Sequence, residues 1–350
     1  MTLLLNYRPV LRQPTGIGVY AQAVLPALQQ LPHVLVAGGQ QGSAQQRLRR
    51  LAWTQWRLLS LARRSKASLI FTPAPEGYLG LQAIPQVVMV HDLRPISHPE
   101  RSLQSLYFRQ WVPPLLRQCR RILTNSRFTA SEIQRCAAVP LDRIAVIPLG
   151  VDLERFQPAA PGASGLQGRP YLLHVGQAYP HKNLARLIDA FAALTSADPE
   201  LLLVLAGKPH PSETPRLQAL VHERGLEQHV QFRPYVPSAA LPDLMRRALA
   251  FVYPSLWEGF GLPVLEAMAS GTPVLTSLGS GTEEVAGDAA LLVDPLDLGA
   301  LSAALRDLVT QPQLREQLRR KGLERVAQYS WVRTAQATQA ELGQILAALG

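Results

Sequence analysis

Short apolar runs alternate with longer amphipathic stretches along the whole chain, a pattern typical of α/β proteins with parallel sheets. Such runs predict strands in the first half of the sequence at 3–5, 34–37, 69–72, 86–90, 121–124 and 144–147. In the second half they predict strands at 171–175, 201–206, 230–232, 249–253, 273–276 and 290–293. The repeated rhythm indicates an α/β fold of two Rossmann-like domains facing each other across a cleft.

The segment 157–170 is rich in Pro and Gly and has no hydrophobic period, which is the composition of a linker. We therefore predict an N-terminal domain at 1–156, a linker at 157–170, a C-terminal domain at 171–328 and a separate final segment at 329–350. With 350 residues, 47% of them hydrophobic and 17% charged, the chain is long and apolar enough for two cores.

Several classes of protein are disfavoured by composition. No apolar run approaches the ~20 residues of a membrane-spanning helix. The N-terminus lacks the basic region and cleavage site of a signal peptide. Cys119 and Cys136 form neither a disulfide framework nor a metal motif, and the sequence has no Asp-x-Asp. We therefore expect a cytoplasmic protein that uses no metal and no cofactor.

The net charge of +10 is concentrated in the first half of the chain. Residues 1–160 carry 19 Arg and Lys against 7 Asp and Glu, whereas residues 161–350 carry 16 against 18. In the segment 45–66 the basic residues surround Trp53 and Trp56, which is the composition of a helix that lies on an anionic membrane. An ordinary helix with its apolar face buried explains the same pattern. Arg50, Arg57 and Arg64 are seven residues apart, and we expect all three to face solvent.

The segment from Pro254 to Val274 carries the most specific chemistry. It follows an apolar strand, turns through two glycines and enters a helix near Pro263, where a missing N–H is harmless. Glu258 stands on the loop at the turn, and Glu266 stands one turn into the helix. At the carboxyl edge of a parallel sheet, such a helix N-terminus favours a bound anion. Backbone amides open to a ligand are expected at Phe260, Gly261 and Leu262.

This segment resembles the E-x7-E signature of retaining glycosyltransferases with the GT-B fold, specifically the mannosyltransferase-like family 4, also called group 1. The resemblance implies that Glu258 and the amides after it hold the sugar of a nucleotide-sugar donor, and that Glu266 holds the ribose hydroxyls. It extends over nearly the whole chain, through landmarks of the family at 15–20, 91–93, 125–129, 148–152, 174–176 and 181–183. The final segment from Tyr329 resembles the family's helix that returns to the first domain.

The same resemblance implies a role for Lys182, which matches the family's phosphate-binding lysine in the motif His181-Lys182-Asn183. Electrostatic stabilisation of the departing diphosphate is the main catalytic requirement of the reaction. Many relatives carry an arginine just after the glycine or just before the lysine, where this chain has Gln177 and His181. A histidine supplies the missing charge only when it is protonated, so either His181 is charged or another arginine takes part.

Other parts of the donor site are implied in the same way. His91 matches the histidine that helps to position the sugar and the acceptor, and Asp92 either orients it or caps the next segment. Gly16 and Gly18 bring backbone amides to the diphosphate at a helix start. The base is expected near Lys208 and Tyr235, where Pro234 replaces a common glycine.

The sequence as a whole predicts a retaining hexosyltransferase that transfers a mannose-like sugar to a glycan or lipid-linked acceptor. GDP-mannose is the favoured donor, with UDP- and dTDP-sugars as alternatives. The enzyme is expected in the cytoplasm or on the inner face of the membrane. A basic nucleic-acid-binding protein is disfavoured because aromatic residues make up only 6% of the chain and no nucleic-acid motif is present. A degenerate GT-B scaffold is disfavoured because Glu258, Glu266 and Lys182 are all intact.

Overall fold

The computed structural model describes residues 1–10, 16–38, 44–80, 84–99, 102–158 and 165–350. The chain forms two compact units, one of residues 1–150 and 329–350 and one of residues 151–328. The predicted bounds placed residues 151–156 in the first domain, whereas these residues pack in the second unit, where Phe156 is buried. Residues 159–164 of the predicted linker lie outside the described residues.

Each unit contains a six-stranded sheet in which all strand pairs are parallel. The first sheet has the order β2-β1-β3-β4-β5-β6 and the second has the order β12-β11-β10-β7-β8-β9. The strands of the first are β1 Thr2–Asn6, β2 Val34–Ala37, β3 Ala67–Thr72, β4 Gln86–Val90, β5 Arg121–Thr124 and β6 Ile144–Val146. Those of the second are β7 Tyr171–Val175, β8 Leu202–Ala206, β9 Val230–Arg233, β10 Ala250–Tyr253, β11 Val274–Ser277 and β12 Leu291–Val293.

Helices connect the strands, as a parallel sheet requires. Those before β7 are α1 Gly16–Leu28, α2 Ala44–Trp56, α3 Leu58–Arg64, α4 Arg94–Ser97, α5 Leu103–Gln110, α6 Val112–Gln118 and α7 Arg127–Ala137. Those after β7 are α8 Leu184–Ala192, α9 Glu213–Glu223, α10 Leu241–Arg246, α11 Leu262–Ala269, α12 Gly281–Ala286, α13 Leu298–Thr310, α14 Pro312–Val326 and α15 Trp331–Ala347. None of these helices, in the part of the chain described, has the length and apolar character needed to cross a membrane.

The core of the first unit lies on its sheet, and β4 is buried along its whole length. A continuous apolar run of this kind is typical of a central parallel strand that is covered on both faces. The last helix, α15, packs against α1, where the hydroxyls of Tyr20 and Thr338 are 3.2 Å apart. Near its start, the Thr334 hydroxyl donates to the carbonyl of Pro148 at 2.8 Å. The C-terminal helix is therefore an integral part of the first unit.

The second unit is organised around the neighbouring strands β7 and β10. Helix α8 covers this sheet with a buried apolar face that includes Leu187, Ile188 and Phe191. Because parallel strands end at one edge of a sheet, the loops that follow β7 and β10 emerge side by side. This edge brings together the sequence motifs around Lys182 and Glu258.

The basic segment near the N-terminus differs from the prediction. It forms two helices that meet at Arg57, and the side chain of Arg47 lies outside the described residues. Arg50 does not face solvent, because its guanidinium forms two hydrogen bonds with the Glu76 carboxylate, at 2.6 and 2.9 Å. The two side chains are only 13% and 10% exposed. Arg57 and Arg64 are exposed, as predicted.

Candidate functional site

The centre of the candidate site is a buried ion pair at the carboxyl edge of the second sheet. Lys182 lies in a short turn after β7, and Glu258 lies in the loop after β10. The Nζ atom of Lys182 is 2.5 Å from Oε1 of Glu258, and the two side chains are 10% and 14% exposed. The same Nζ donates to the Tyr253 hydroxyl at 2.7 Å. Two residues that are 76 positions apart in sequence thus form one ion pair.

The ammonium of Lys182 stays charged in this environment. Burial by itself lowers the pKa of a lysine, because the charged form loses hydration. The negative charge of Glu258 and the hydrogen bonds that the ammonium donates to Tyr253 and Glu258 outweigh that effect and raise the pKa of Lys182 above its ordinary value. A permanent cation is therefore held at the sheet edge.

The neighbours of Lys182 in its motif have structural contacts of their own. Asn183 has the left-handed backbone φ of 60°, and its amide donates to the carbonyls of Pro254 and Pro295 at 3.2 and 2.7 Å. His181 is buried, its ring stacks on Tyr179 at 5.5 Å, and its carbonyl accepts a hydrogen bond from the Leu256 amide. The motif therefore ties the loop after β7 to the loop after β10.

The loop that bears Glu258 leads into helix α11. Its cap is Gly261, whose φ of 105° lies in the region that favours glycine. A Cβ atom at this position would lie only 2.6 Å from Cγ2 of Thr282. The amides of Gly261 and Leu262 belong to the first turn, where no preceding helical carbonyl is available to them. Such amides at a helix N-terminus favour a negatively charged ligand.

Glu266 lies one turn into α11, where its environment changes its acidity. Burial raises the pKa of Glu266 to about 7, and the positive charge of Arg155 opposes this rise. The Arg155 guanidinium is itself held by the carbonyl of Ser238 at 2.6 Å and the Ser238 hydroxyl at 2.7 Å. Glu266 is consequently a carboxyl group that changes its protonation state near neutral pH.

We expect the stability of the free protein to report this titration. The carboxyl of Glu266 loses its proton near pH 4.5 in the unfolded chain and near pH 7 in the folded protein. Between these values the folded state holds a proton that the unfolded state has released, so the contribution of this group to stability falls as pH rises. We would measure the melting temperatures of wild type and Glu266→Gln from pH 4 to 8. The melting temperature of the variant should rise relative to that of wild type as the pH increases to 7. Parallel curves would contradict the raised pKa.

A cavity of about 290 Å³ opens at the ends of β7, β8 and β9. Its lining includes His174, Gly176, Gly207, Thr214, Phe232 and Arg233. Gly207 is required there, because its φ is 153° and a Cβ would lie 1.9 Å from the carbonyl oxygen of Gly176. Lys208 and Tyr235 follow directly after lining residues and are exposed, Tyr235 by 78%. The two residues predicted to lie near the base thus flank one cavity.

Two polar groups of the cavity wall are without a partner in the described structure. The Nδ1 atom of His174 is bonded to the carbonyl of Val252 at 3.0 Å, while its buried Nε2 has no hydrogen-bond partner. Burial and the charge of Lys182 lower the pKa of His174 to about 3, so the ring is neutral and Nε2 is an acceptor. The guanidinium of Arg233 makes no hydrogen bond or ion pair with a described residue.

His91 lies at the carboxyl edge of the sheet in the first unit. Its Nε2 is 3.1 Å from the carbonyl of Pro73, and its ring contacts Tyr20 edge to face. Burial lowers the pKa of His91 to about 4, so the imidazole is neutral, donates from Nε2 and leaves Nδ1 as an acceptor. The amide of Asn125 donates to the carbonyl of His91 at 3.0 Å. Asp92 accepts from the amide of Arg94, the first residue of α4, at 3.1 Å, and the cap position of that helix is Leu93.

The remaining predicted residues lie in three different parts of the chain. Gly16 and Gly18 form the first turn of α1, while Thr15 lies outside the described residues. Gln177 is half-buried in the loop after β7, and Phe260 is buried before α11. No three His, Cys, Asp or Glu side chains form a potential metal site within the described ranges.

Sequence reasoning missed Tyr253, His174 and Arg233 as members of the site. All three belong to strands, and the apolar runs around them indicated only buried positions. A tyrosine at the last position of a strand is the one signal that could have been used, because its hydroxyl reaches the sheet edge. The contact between Tyr253 and Lys182 joins residues far apart in the chain and required the structure.

Comparisons with known proteins agree with this architecture. The family model described as "Glycosyltransferase Family 4" matches residues 15–155, and that of "Glycosyl transferases group 1" matches residues 157–325. The chain is 32% identical to the O-antigen chain mannosyltransferase B of Escherichia coli, over 73% of this chain and 70% of that protein. It is also 32% identical to the O-antigen chain mannosyltransferase RfbU of Salmonella typhimurium, over 65% of this chain and 62% of that protein.

The fold is also found among solved structures. HepE of Anabaena, determined in complex with UDP-glucose, aligns with a TM-score of 0.77 at 19% identity, over 98% of this chain and 100% of that one. This likeness supports the GT-B arrangement of two parallel α/β sheets. Together with the matched family models and the curated relatives, it shows that the chain belongs to the family 4, or group 1, glycosyltransferases.

Proposed function

We propose that this glycosyltransferase is a retaining, metal-independent hexosyltransferase that moves a mannose-like sugar from a nucleotide-sugar donor to a glycan or lipid-linked acceptor. The observation that carries the proposal is the buried ion pair of Lys182 with Glu258, which stands in the loop that leads into α11. Both relatives compared above are O-antigen chain mannosyltransferases, which favours mannose and GDP-mannose. The complex of HepE with UDP-glucose supports a nucleotide-sugar donor and keeps a UDP-sugar as the alternative.

In the proposed mechanism Lys182 and the amides of Gly261 and Leu262 stabilise the departing diphosphate. Charge that develops on the leaving oxygen is met by groups already in place, which is the most effective form of transition-state stabilisation. Glu266 holds the ribose hydroxyls, and the base occupies the cavity flanked by Lys208 and Tyr235. We assign the second phosphate contact to Arg233 rather than to His181, because the guanidinium lines the cavity and has no partner among the described residues, whereas the imidazole stacks on Tyr179.

The way Glu258 is held bears on the route by which the proposed retention would occur. Its carboxylate is paired with Lys182, so it is a poor candidate for a nucleophile that forms a bond to the sugar. We infer a front-face route. The acceptor hydroxyl oxygen bonds to the anomeric carbon as the bond to the diphosphate oxygen breaks, and the hydroxyl proton passes to a phosphate oxygen. His91 remains the candidate for positioning the sugar and the acceptor.

A donor screen by thermal shift tests the function. GDP-mannose, UDP-glucose and a dTDP-sugar are each added at a saturating concentration, with EDTA present to test metal independence. A ligand at 100 times its Kd stabilises a protein by about 2.7 kcal/mol. The increase in melting temperature should appear with the sugar nucleotide of one base only, and it should be lost in Lys182→Ala. Proton NMR of the product should then show the anomeric configuration of the donor, and an inverted product would refute retention.

The two alternative functions have different signatures. A nucleic-acid-binding protein would shift a DNA or RNA duplex in a salt-dependent manner and would not respond to sugar nucleotides. A degenerate scaffold would bind a nucleotide without turning over its sugar. The intact pairing of Lys182 with Glu258 favours the enzyme over both.

We further propose that the first unit associates with an anionic membrane through α2 and α3. Trp56 is 74% exposed, and Arg57, Arg63 and Arg64 in the same helical segment are exposed as well. Each basic residue near such a surface contributes about 1 kcal/mol. Co-sedimentation with anionic liposomes should weaken with salt and fall in a variant with Arg57→Gln and Arg64→Gln. Neutral liposomes are the control, and equal binding to both would contradict the proposal.

A further inference from the structure

The hydroxyl of Tyr253 lies at the point where β10 ends and the site begins. It accepts a hydrogen bond from Nζ of Lys182 at 2.7 Å, and the residue is only 2% exposed. No motif of the sequence includes this tyrosine. Its hydroxyl is nevertheless one of the two protein groups to which the site's ammonium donates.

Aromatic contacts fix the position of that hydroxyl. The ring of His174 stacks on Tyr253 with centroids 5.2 Å apart, and Phe251 stacks on it at 5.6 Å. His174 is itself held by its hydrogen bond to the carbonyl of Val252. Because the imidazole is neutral, it supports the tyrosine without repelling the nearby ammonium. The phenol is therefore a rigid acceptor rather than a mobile one.

The hydrogen-bond capacity of Lys182 shows what this acceptor does. An ammonium has three N–H groups. One is donated to Tyr253 and one to Glu258, and the third has no partner among the described residues. With two bonds to fixed groups, the direction of the third N–H is set.

We propose that Tyr253 is a positioning residue that holds the Lys182 ammonium so that its third N–H points at the diphosphate of the donor. The proposal rests on the proposed function. Without the hydroxyl, Glu258 is the remaining protein acceptor for the ammonium, which then moves toward that carboxylate. Tyr253→Phe removes the acceptor and keeps the ring stack.

Calorimetric titration with GDP and UDP tests the role directly. Tyr253→Phe should bind the preferred nucleoside diphosphate about tenfold more weakly, the scale of one hydrogen bond to a charged group. In a Lys182→Ala background the same substitution should change affinity by less than about twofold, because its effect passes through the ammonium. With the donor sugar, Tyr253→Phe should lower kcat and leave the KM of the acceptor unchanged.

Tyr171→Phe is the matched control. Tyr171 is also fully buried in this sheet, and its hydroxyl donates to the carbonyl of Leu244, but it stands at the opposite end of β7. The Tyr171→Phe variant should bind the nucleotide with the affinity of wild type. The positioning role is refuted if Tyr253→Phe binds the nucleotide as tightly as wild type does. It is also refuted if Tyr253→Phe causes the same loss of affinity in the Lys182→Ala background as in wild type. Neither result affects the proposed function. If wild type binds neither these nucleotides nor dTDP, the proposed function fails as well.

Discussion

Replacing Lys182 by alanine should lower turnover by a factor of about 10² or more, the range observed when one preorganised charge partner is lost. The cation is buried, so the surrounding protein shields its interaction with the diphosphate less than water would. The substitution also leaves Glu258 as a buried carboxylate that has lost its cation, which adds a repulsive charge beside the leaving group. Initial rates with saturating donor measure the loss.

Lys321→Ala provides the control for this experiment. Lys321 also pairs with a carboxylate, that of Asp288 at 2.8 Å, but both side chains are solvent-accessible. Exposed pairs of this kind contribute about 0–1 kcal/mol, so turnover should stay near that of wild type. Turnover of Lys182→Ala close to wild type, with an intact fold by circular dichroism, would refute the assignment of Lys182.

Glu258→Gln should lower turnover by about 10² and at the same time strengthen product binding, on the order of tenfold. In the free protein the carboxylate competes with the diphosphate for the ammonium of Lys182. The amide of glutamine keeps the shape and one acceptor but removes the negative charge. Turnover falls because the family resemblance places this side chain on the donor sugar. Stopped assays and calorimetry with the nucleoside diphosphate separate the two effects.

Glu213→Gln is the matched control for Glu258→Gln. Its carboxylate is 10% exposed and pairs with Arg216 at 2.6 Å, so it resembles Glu258 in burial and pairing. Both turnover and product affinity should stay near those of wild type. Weaker product binding by Glu258→Gln would show that the carboxylate organises the phosphate site rather than competing for its cation.

The amino-acid sequence determined the strands of this protein almost completely. Each predicted strand is present, and the largest difference is that β3 begins at Ala67 rather than Leu69. Strands buried on both faces form continuous apolar runs, and this signal is local. Gly261, Pro263 and Glu266 likewise marked the start of α11, because the capping and first-turn preferences of a helix depend on neighbouring residues.

The exposure and the partners of the charged side chains were less predictable from the sequence. The sevenfold spacing of Arg50, Arg57 and Arg64 predicted one solvent-facing row, and spacing describes only the helix that bears the residues. Glu76 comes from a separate segment, and it pairs with Arg50 across a distance of 26 positions. For the same reason the sequence left open whether His181 supplies a second charge beside Lys182, whereas the structure stacks His181 on Tyr179 and pairs Lys182 with Glu258.

The sequence by itself thus determined the α/β class, the strands, the family and the residues Lys182, Glu258 and Glu266. Only the tertiary structure decided their electrical state and their partners. It joined Lys182 to Tyr253 and Glu258, made His91 and His174 neutral, and raised the pKa of Glu266 to about 7. Local preferences act between neighbours in the chain, whereas burial and Coulomb interactions depend on distances in space that folding creates.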